Sequence, residues 1–253
     1  MGAVTSSDGA AAERTILAVI HQTNGGPGHF APVIEAAGYR LEIASFALDQ
    51  VPESPLSSYA AVMVFGAWEQ VDQEEQYEWL VAEKRAVKEA LDEDVPLLGI
   101  CFGGQLVADV AGAWVGPVRH QQLTGWNQVV ISPEAAADPV VGGLPASLTT
   151  VVWHKYEFEL PPGATPLARS VGALQAFRVA SRPAWGLQFH IEASGEDVEG
   201  WLREAVARGE LDESALPGHL TETKRRSAQQ KELGERLCER FLRVVEAGGD
   251  RRV

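Results

Sequence analysis

Cysteine is scarce in this sequence. There are two in 253 residues, Cys101 and Cys238. So few thiols, so far apart, make no disulfide framework, and they read as free thiols of a reducing, cytoplasmic compartment. Basic charge is also short: 21 Lys and Arg against 35 Asp and Glu give a net charge of −14. The one small basic cluster, Lys224–Arg226, sits in an acidic helical context. A direct nucleic-acid partner, which needs a basic stripe, is therefore not expected. No apolar run approaches the ~20 residues of a membrane span. The opening MGAVTSSDGAAAERT lacks the apolar core of a secretory signal. Its Met-Gly-x-x-x-Ser start fits a myristoylation pattern, but no polybasic second anchor follows. Residues 1–14 read as a disordered leader, and no membrane partner is expected. Metal-binding spacings such as H-x-H, H-E-x-x-H and C-x-x-C do not occur, so no metal is expected. The run NGGPG, Asn24–Gly28, lacks both a G-x-G-x-x-G pattern and a P-loop lysine. It reads as a simple strand–helix connection, and no cofactor is expected.

Apolar residues, at 45% of the chain, are plentiful. A chain of this length can bury one large core, and residues 15–253 read as a single domain. Apolar runs at Thr15–Ile20, Arg40–Ser45, Ala60–Gly66 and Val95–Ile100 predict strands. Helices are expected between them, over 28–38, from a capping box at Asp72 and Glu75 to about Leu91, and over 103–113. Strands alternating with helices predict an α/β fold built on a mostly parallel sheet with flanking helices. From Trp126 to Phe189 short strands follow one another with no clear helix, which predicts an antiparallel extension of that sheet. Two helices close the chain, over 195–209 and from about Thr221 to Glu246. Cys238 lies close to the apolar face of the second, which predicts its burial.

Cys101 stands in Gly99-Ile100-Cys101-Phe102-Gly103, after a strand and before a helix. A G-x-C-x-G turn in that setting puts the side chain at the carboxyl end of the strand, in a strained backbone conformation that flanking glycines permit. The amino end of the next helix favours thiolate. The Phe102 N–H is directed where an oxyanion would form. A buried cysteine in a glycine-rich turn is the plainer alternative. A nucleophilic thiol needs a base. His190, in WGLQFHIEAS, ends an apolar strand and has Glu192 two residues on, on the same face. Cys101, His190 and Glu192 thus make a candidate triad, with Glu192 holding the imidazole tautomer. A structural histidine is the competing reading of His190. His154, at a strand end in VVWHKYEF, is a candidate pocket residue.

GICFGGQ and QFHIE together closely resemble the class I glutamine amidotransferases, whose motifs are G-x-C-x-G-x-Q and Q-F-H-P-E. VMVFGAW, TGWNQV, VVWHKYEF and LQAFRV follow in the family's order. The best match is the stand-alone subgroup that resembles the amidotransferase domain of GMP synthetase. The resemblance implies a flavodoxin-like central sheet. It implies that Cys101 attacks the side-chain amide of L-glutamine, that His190 relays protons, and that Glu192 orients it. A γ-glutamyl thioester would form and release ammonia. The N–H groups of Ala67 and Phe102 would make the oxyanion hole. Gly66, Gln105, His154 and Tyr156 would contact substrate.

The sequence departs from the family in four places. Ala67 replaces a second glycine in the oxyanion loop, which makes any peptide flip that needs φ > 0 costlier. Ile191 replaces a proline on the face away from the triad. Lys155 and Tyr156 replace smaller residues, reading either as neutral variation or as a mark of a different γ-glutamyl amide. Leu123 stands where relatives often carry glutamate, and we have no physical account of its consequence. Three functions stay open: a glutaminase subunit feeding a separate ammonia-accepting synthetase, a self-sufficient γ-glutamyl amide hydrolase, and a non-catalytic module. The complete triad argues against the last. A cysteine hydrolase of the dienelactone type would lack the H-x-E pair and ranks lowest.

Overall fold

The computed structural model describes residues 14–119 and 123–249. Residues 1–13, which hold nearly all of the expected leader and the myristoylation-type start, lie outside the described residues. Strands β1 (Thr15–Val19), β2 (Arg40–Ala44), β3 (Ala61–Val64) and β4 (Leu97–Ile100) pair in parallel, with β3 between β1 and β4. β1, β3 and β4 are buried along their whole length. That follows from helices on both faces of the sheet. Side chains alternate between two cores with period two. Ile16, Ala18 and Met63 face α1 (Phe30–Ala36) and the long α5 (Leu216–Gly249), through Phe30, Ile34, Leu237 and Phe241. Leu17, Val62 and Val64 face α2 (Trp79–Asp92) and α3 (Phe102–Val110), through Leu80, Val87 and Leu106. Cys238 is fully buried in the first of these cores, and burial pushes its thiol pKa up.

Helix α2 begins later than the sequence pattern predicts. Asp72 and Glu75 form no capping box there, and residues 71–78 are turns. The physical reason is competition for the side chains. Asp72 accepts from the Tyr156 hydroxyl at 3.0 Å, and Gln73 Oε1 accepts the Gln70 N–H at 2.7 Å. A reciprocal box does form at Ser194 and Asp197, where it starts α4 (Gly195–Ala207) just after Glu192.

The second half comprises β5 (Val115–Pro117), β6 (Thr124–Ile131), β7 (Ser147–Trp153), β8 (Tyr156–Phe158), β9 (Thr165–Ser170), β10 (Ala173–Arg178), β11 (Ala184–Leu187) and β12 (Phe189–His190). All but β5 and β8, which form a two-stranded sheet of their own, join the first four strands in one ten-stranded sheet. Its order is β12-β7-β6-β9-β10-β11-β4-β3-β1-β2. The run 184–189, expected to be one strand of the antiparallel extension, divides instead. β11 pairs in parallel with β4, whereas β12, one residue later, pairs antiparallel with β7. Successive residues thus occupy both ends of one run of strands, so the sheet curls back on itself. That curl brings the end of β7 and the start of α4 over the carboxyl ends of β3 and β4. Among the described residues no helix is long and apolar enough to cross a membrane.

Candidate active site

Cys101 is the residue between β4 and α3, with φ 54° and ψ −109°. A non-glycine residue there carries roughly 1–3 kcal/mol of backbone strain. Neighbouring contacts hold it. The Cys101 N–H donates to Leu187 O at 2.7 Å, and Cys101 O accepts the Gln105 N–H at 3.0 Å. Gly103 packs so closely that a Cβ on it would collide with the Val64 backbone. The turn therefore seats directly on β3. The thiol lies at the amino end of α3, whose unpaired N–H groups favour negative charge. Its Sγ lies 3.5 Å from Trp153 O, at the end of β7.

β12 and the segment after it supply the other two groups. His190 Nδ1 hydrogen-bonds Glu192 Oε1 at 2.8 Å, with both residues buried. The backbone of each is fixed from outside the site. Gln230 on α5 donates to His190 O, and the His29 N–H donates to Glu192 O at 2.7 Å. Gly28, at φ 44°, approaches Glu192 O so closely that a Cβ would clash with it. The NGGPG connection thus braces Glu192, a role its sequence does not announce. His190 Cε1 and Cys101 Cβ lie 3.2 Å and 3.8 Å from where a Cβ on Gly66 would stand, so all three meet at one point. Burial opposes charge on His190, but Cys101 and Glu192 outweigh it and push the imidazole pKa up to about 10.

A cavity open to solvent lies over this point. Cys101, His190, Glu192, Gly66, Ala67, Phe102, Gln105 and His154 all line it, as does Lys155. Tyr156 does not line it, contrary to its expected substrate contact. Its hydroxyl turns to Asp72, and only its carbonyl serves the site, accepting from Gln105 Nε2 at 2.9 Å and His154 Nδ1 at 2.8 Å. The bond to Tyr156 O places the His154 proton on Nδ1. Burial keeps that ring neutral, with its pKa pushed down to about 4. Lys155 is drawn to the rim by Glu210 at 2.9 Å.

Sequence reasoning missed the tryptophan walls of the cavity, Trp68, Trp153 and Trp201. Trp201 covers the His190 ring at 4.8 Å, and Arg208 lies 4.4 Å over Trp68. A signal exists for two of them: Trp68 follows Gly66-Ala67, and Trp153 precedes His154. It also missed a buried pair under Gly66. His21 Nδ1 bonds Gly66 O at 3.0 Å, and His21 Nε2 bonds Glu83 Oε1 at 3.0 Å. Among the described residues no cluster of three or more His, Cys, Asp or Glu is arranged to hold a metal.

A curled α/β sheet with a strained cysteine at a strand–helix junction, under a cavity shared with a histidine–carboxylate pair, defines the class. Residues 26–204 match the family model of glutamine amidotransferase class-I. The chain belongs to that family. It is 35% identical over 125 residues to a glutamine-hydrolyzing GMP synthase subunit of Halobacterium salinarum, covering 47% of this chain and 66% of that protein. It is 29% identical over 179 residues to a gamma-glutamyl-L-1-hydroxyisopropylamide hydrolase of a Pseudomonas species, covering 66% of this chain and 59% of that one. The chain thus spans less than two thirds of the length of each of these curated relatives. Among solved structures, a glutamine amidotransferase of Thermotoga maritima superposes with a TM-score of 0.81 at 26% identity, over 90% of this chain and 98% of that one.

Proposed function

We propose that this protein hydrolyses the side-chain amide of L-glutamine, or of another γ-glutamyl amide, through Cys101, His190 and Glu192. The observation that carries the reading is the meeting of the strained Cys101 turn with the buried His190–Glu192 pair in one cavity.

The Cys101 thiol passes its proton to His190. Deprotonation also ends the thiol's contact with Trp153 O, since a thiolate has no proton to donate to a carbonyl. The sulfur then bonds to the amide carbon, and the carbonyl oxygen becomes an oxyanion facing the N–H groups of Ala67 and Phe102. His190 returns its proton to the amide nitrogen as the C–N bond breaks, and ammonia leaves. A γ-glutamyl thioester remains. Water, giving a proton to His190, attacks it, and the C–S bond breaks to release glutamate and restore the thiol. Glu192 keeps the ring oriented and balances its positive charge. The ammonia passes to a separate synthetase, as the likeness to a GMP synthase subunit suggests.

A second reading is favoured by the cavity itself. Three tryptophans wall it, and Glu210 draws Lys155 toward the rim. That apolar lining, open on one side, suits a γ-glutamyl amide of a larger amine, with water as the only acceptor. One experiment addresses both readings: glutamate release by the purified chain from L-glutamine and from γ-glutamyl alkylamides, beside Cys101→Ala. Release that vanishes with the substitution supports the mechanism, and the preferred amide chooses between the readings. Equal release by Cys101→Ala would sink both.

A further inference from the structure

We propose that His21 and Glu83 form a positioning pair that locks the Gly66–Ala67 peptide with its N–H turned toward Cys101. The inference rests on the reading of Ala67 N–H as an oxyanion donor.

Hydrogen bonds set the charge of the His21 ring. His21 follows β1 and is buried. One ring nitrogen meets Gly66 O at 3.0 Å, and the other meets both Glu83 oxygens, at 3.0 Å and 3.1 Å. A carbonyl and a carboxylate are both acceptors. With Glu83 ionised, both contacts form together only when each ring nitrogen carries a proton, which makes the ring an imidazolium. Burial opposes that charge, and the Glu83 carboxylate and Gly66 carbonyl reverse the effect, raising the ring's pKa. Phe102 packs on the ring at 4.7 Å and Trp79 at 5.3 Å, which fixes its plane.

The consequence for Ala67 follows from peptide geometry. Among the described residues no peptide bond is cis. In a trans peptide the C=O and N–H point opposite ways. β3 lies between β1 and β4. His21, after β1, holds the Gly66 carbonyl on one side. The Ala67 N–H is thereby directed to the other side, where Cys101 follows β4. Among the described residues it meets no backbone acceptor. The reversed peptide would aim the Gly66 carbonyl at the thiolate and leave a charged ring without its acceptor. The lock also accounts for alanine at position 67. Neither Gly66 nor Ala67 has positive φ, so this orientation needs no second glycine.

The test uses the purified full chain and three measurements: kcat and KM on its preferred γ-glutamyl amide, the rate of Cys101 alkylation by iodoacetamide, and crystal structures of the variants. His21→Gln, whose amide occupies the Nε2 position and misses Gly66 O, is expected to lower kcat by about 10–100-fold. KM should move by less than about threefold, because the oxyanion contact matures only in the transition state. Alkylation needs no oxyanion hole and feels only the reversed carbonyl's repulsion of the thiolate, so its rate should fall by far less than kcat. His21→Asn, whose amide mimics Nδ1, should recover part of kcat. In the His21→Gln crystal the Gly66 carbonyl should be reversed or split between two orientations. An unmoved peptide with unchanged kcat would overturn the lock, as would a parallel collapse of kcat and alkylation. Should His21→Gln not fold, the double variant His21→Phe with Glu83→Gln, which removes the donor to Gly66 O without leaving a buried charge, is read the same way. Wild type inert toward every γ-glutamyl amide would instead defeat the catalytic reading, while the peptide orientation in the crystals still decides the lock.

Discussion

Two buried histidine–carboxylate pairs flank Gly66, and they differ in what the second ring nitrogen faces. His190 is held by Glu192 at 2.8 Å and shares its cavity with the Cys101 thiol. His21 is held by Glu83 at 3.0 Å and faces the Gly66 carbonyl. A thiol exchanges a proton with imidazole, and a carbonyl does not. On the proposed reading, the same pair of residue types serves as a base in one place and as a brace in the other. The lesson is that a histidine–carboxylate pair has no role of its own. The third partner assigns it.

The largest effects should fall on the first pair and its thiol. Cys101→Ala and His190→Ala are each expected to lower kcat by at least about 10⁴-fold, measured as glutamate release. A residual rate within about tenfold of wild type would show that another group supplies the chemistry. Glu192→Gln, which leaves an amide beside His190, should lower kcat by about 10²-fold or more. Glu83→Gln should cost only about tenfold, because its charge acts through His21. Equal losses in the two glutamine variants would erase the distinction between base and brace.

The two cysteines offer a smaller contrast. Cys238 is fully buried and its thiol is held protonated, whereas Cys101 lines the open cavity. Iodoacetamide at neutral pH should label Cys101 alone, read by peptide mass spectrometry. His190→Gln should slow that labelling by about tenfold by removing the proton acceptor. Labelling that ignores His190 would uncouple the two groups.

An effect on stability alone concerns His154. Its folded pKa of about 4 lies below the ordinary histidine value, so the neutral ring is favoured on folding. That contribution is present above about pH 6.5 and is lost as pH falls through about 4. Between about pH 7 and about pH 5 the wild type should lose about 2 kcal/mol more stability than His154→Asn, read by urea unfolding. Parallel losses in the two proteins would show that His154 is free to charge in the folded state. His190 has the opposite sign, since its folded pKa is raised, and it loses its stabilising contribution only as pH rises toward about 10.

Much of this arrangement is legible in the sequence because it is local. The G-x-C-x-G turn and the spacing of His190 and Glu192 each sit within a few residues, and apolar runs mark β1, β3 and β4 directly. The family's central sheet and its antiparallel extension follow from those patterns. What stays hidden depends on distant partners. His21 and Glu83 are 62 residues apart, and neither carries a local signal of the other. Asp72 reads as a cap because its true partner, the Tyr156 hydroxyl, lies 84 residues away. The split of 184–189 between β4 and β7 depends on the curl of the whole sheet, which no periodicity within six residues encodes.

The most direct test is chemical. The purified protein is mixed with its preferred γ-glutamyl amide and quenched in acid within its first turnover, and the peptide carrying Cys101 is examined by mass spectrometry. A γ-glutamyl thioester on Cys101, absent from the Cys238 peptide and lost in Cys101→Ala, is the predicted result. Hydrolysis that proceeds with no adduct on Cys101 at any quench time, and persists in Cys101→Ala, would contradict the account.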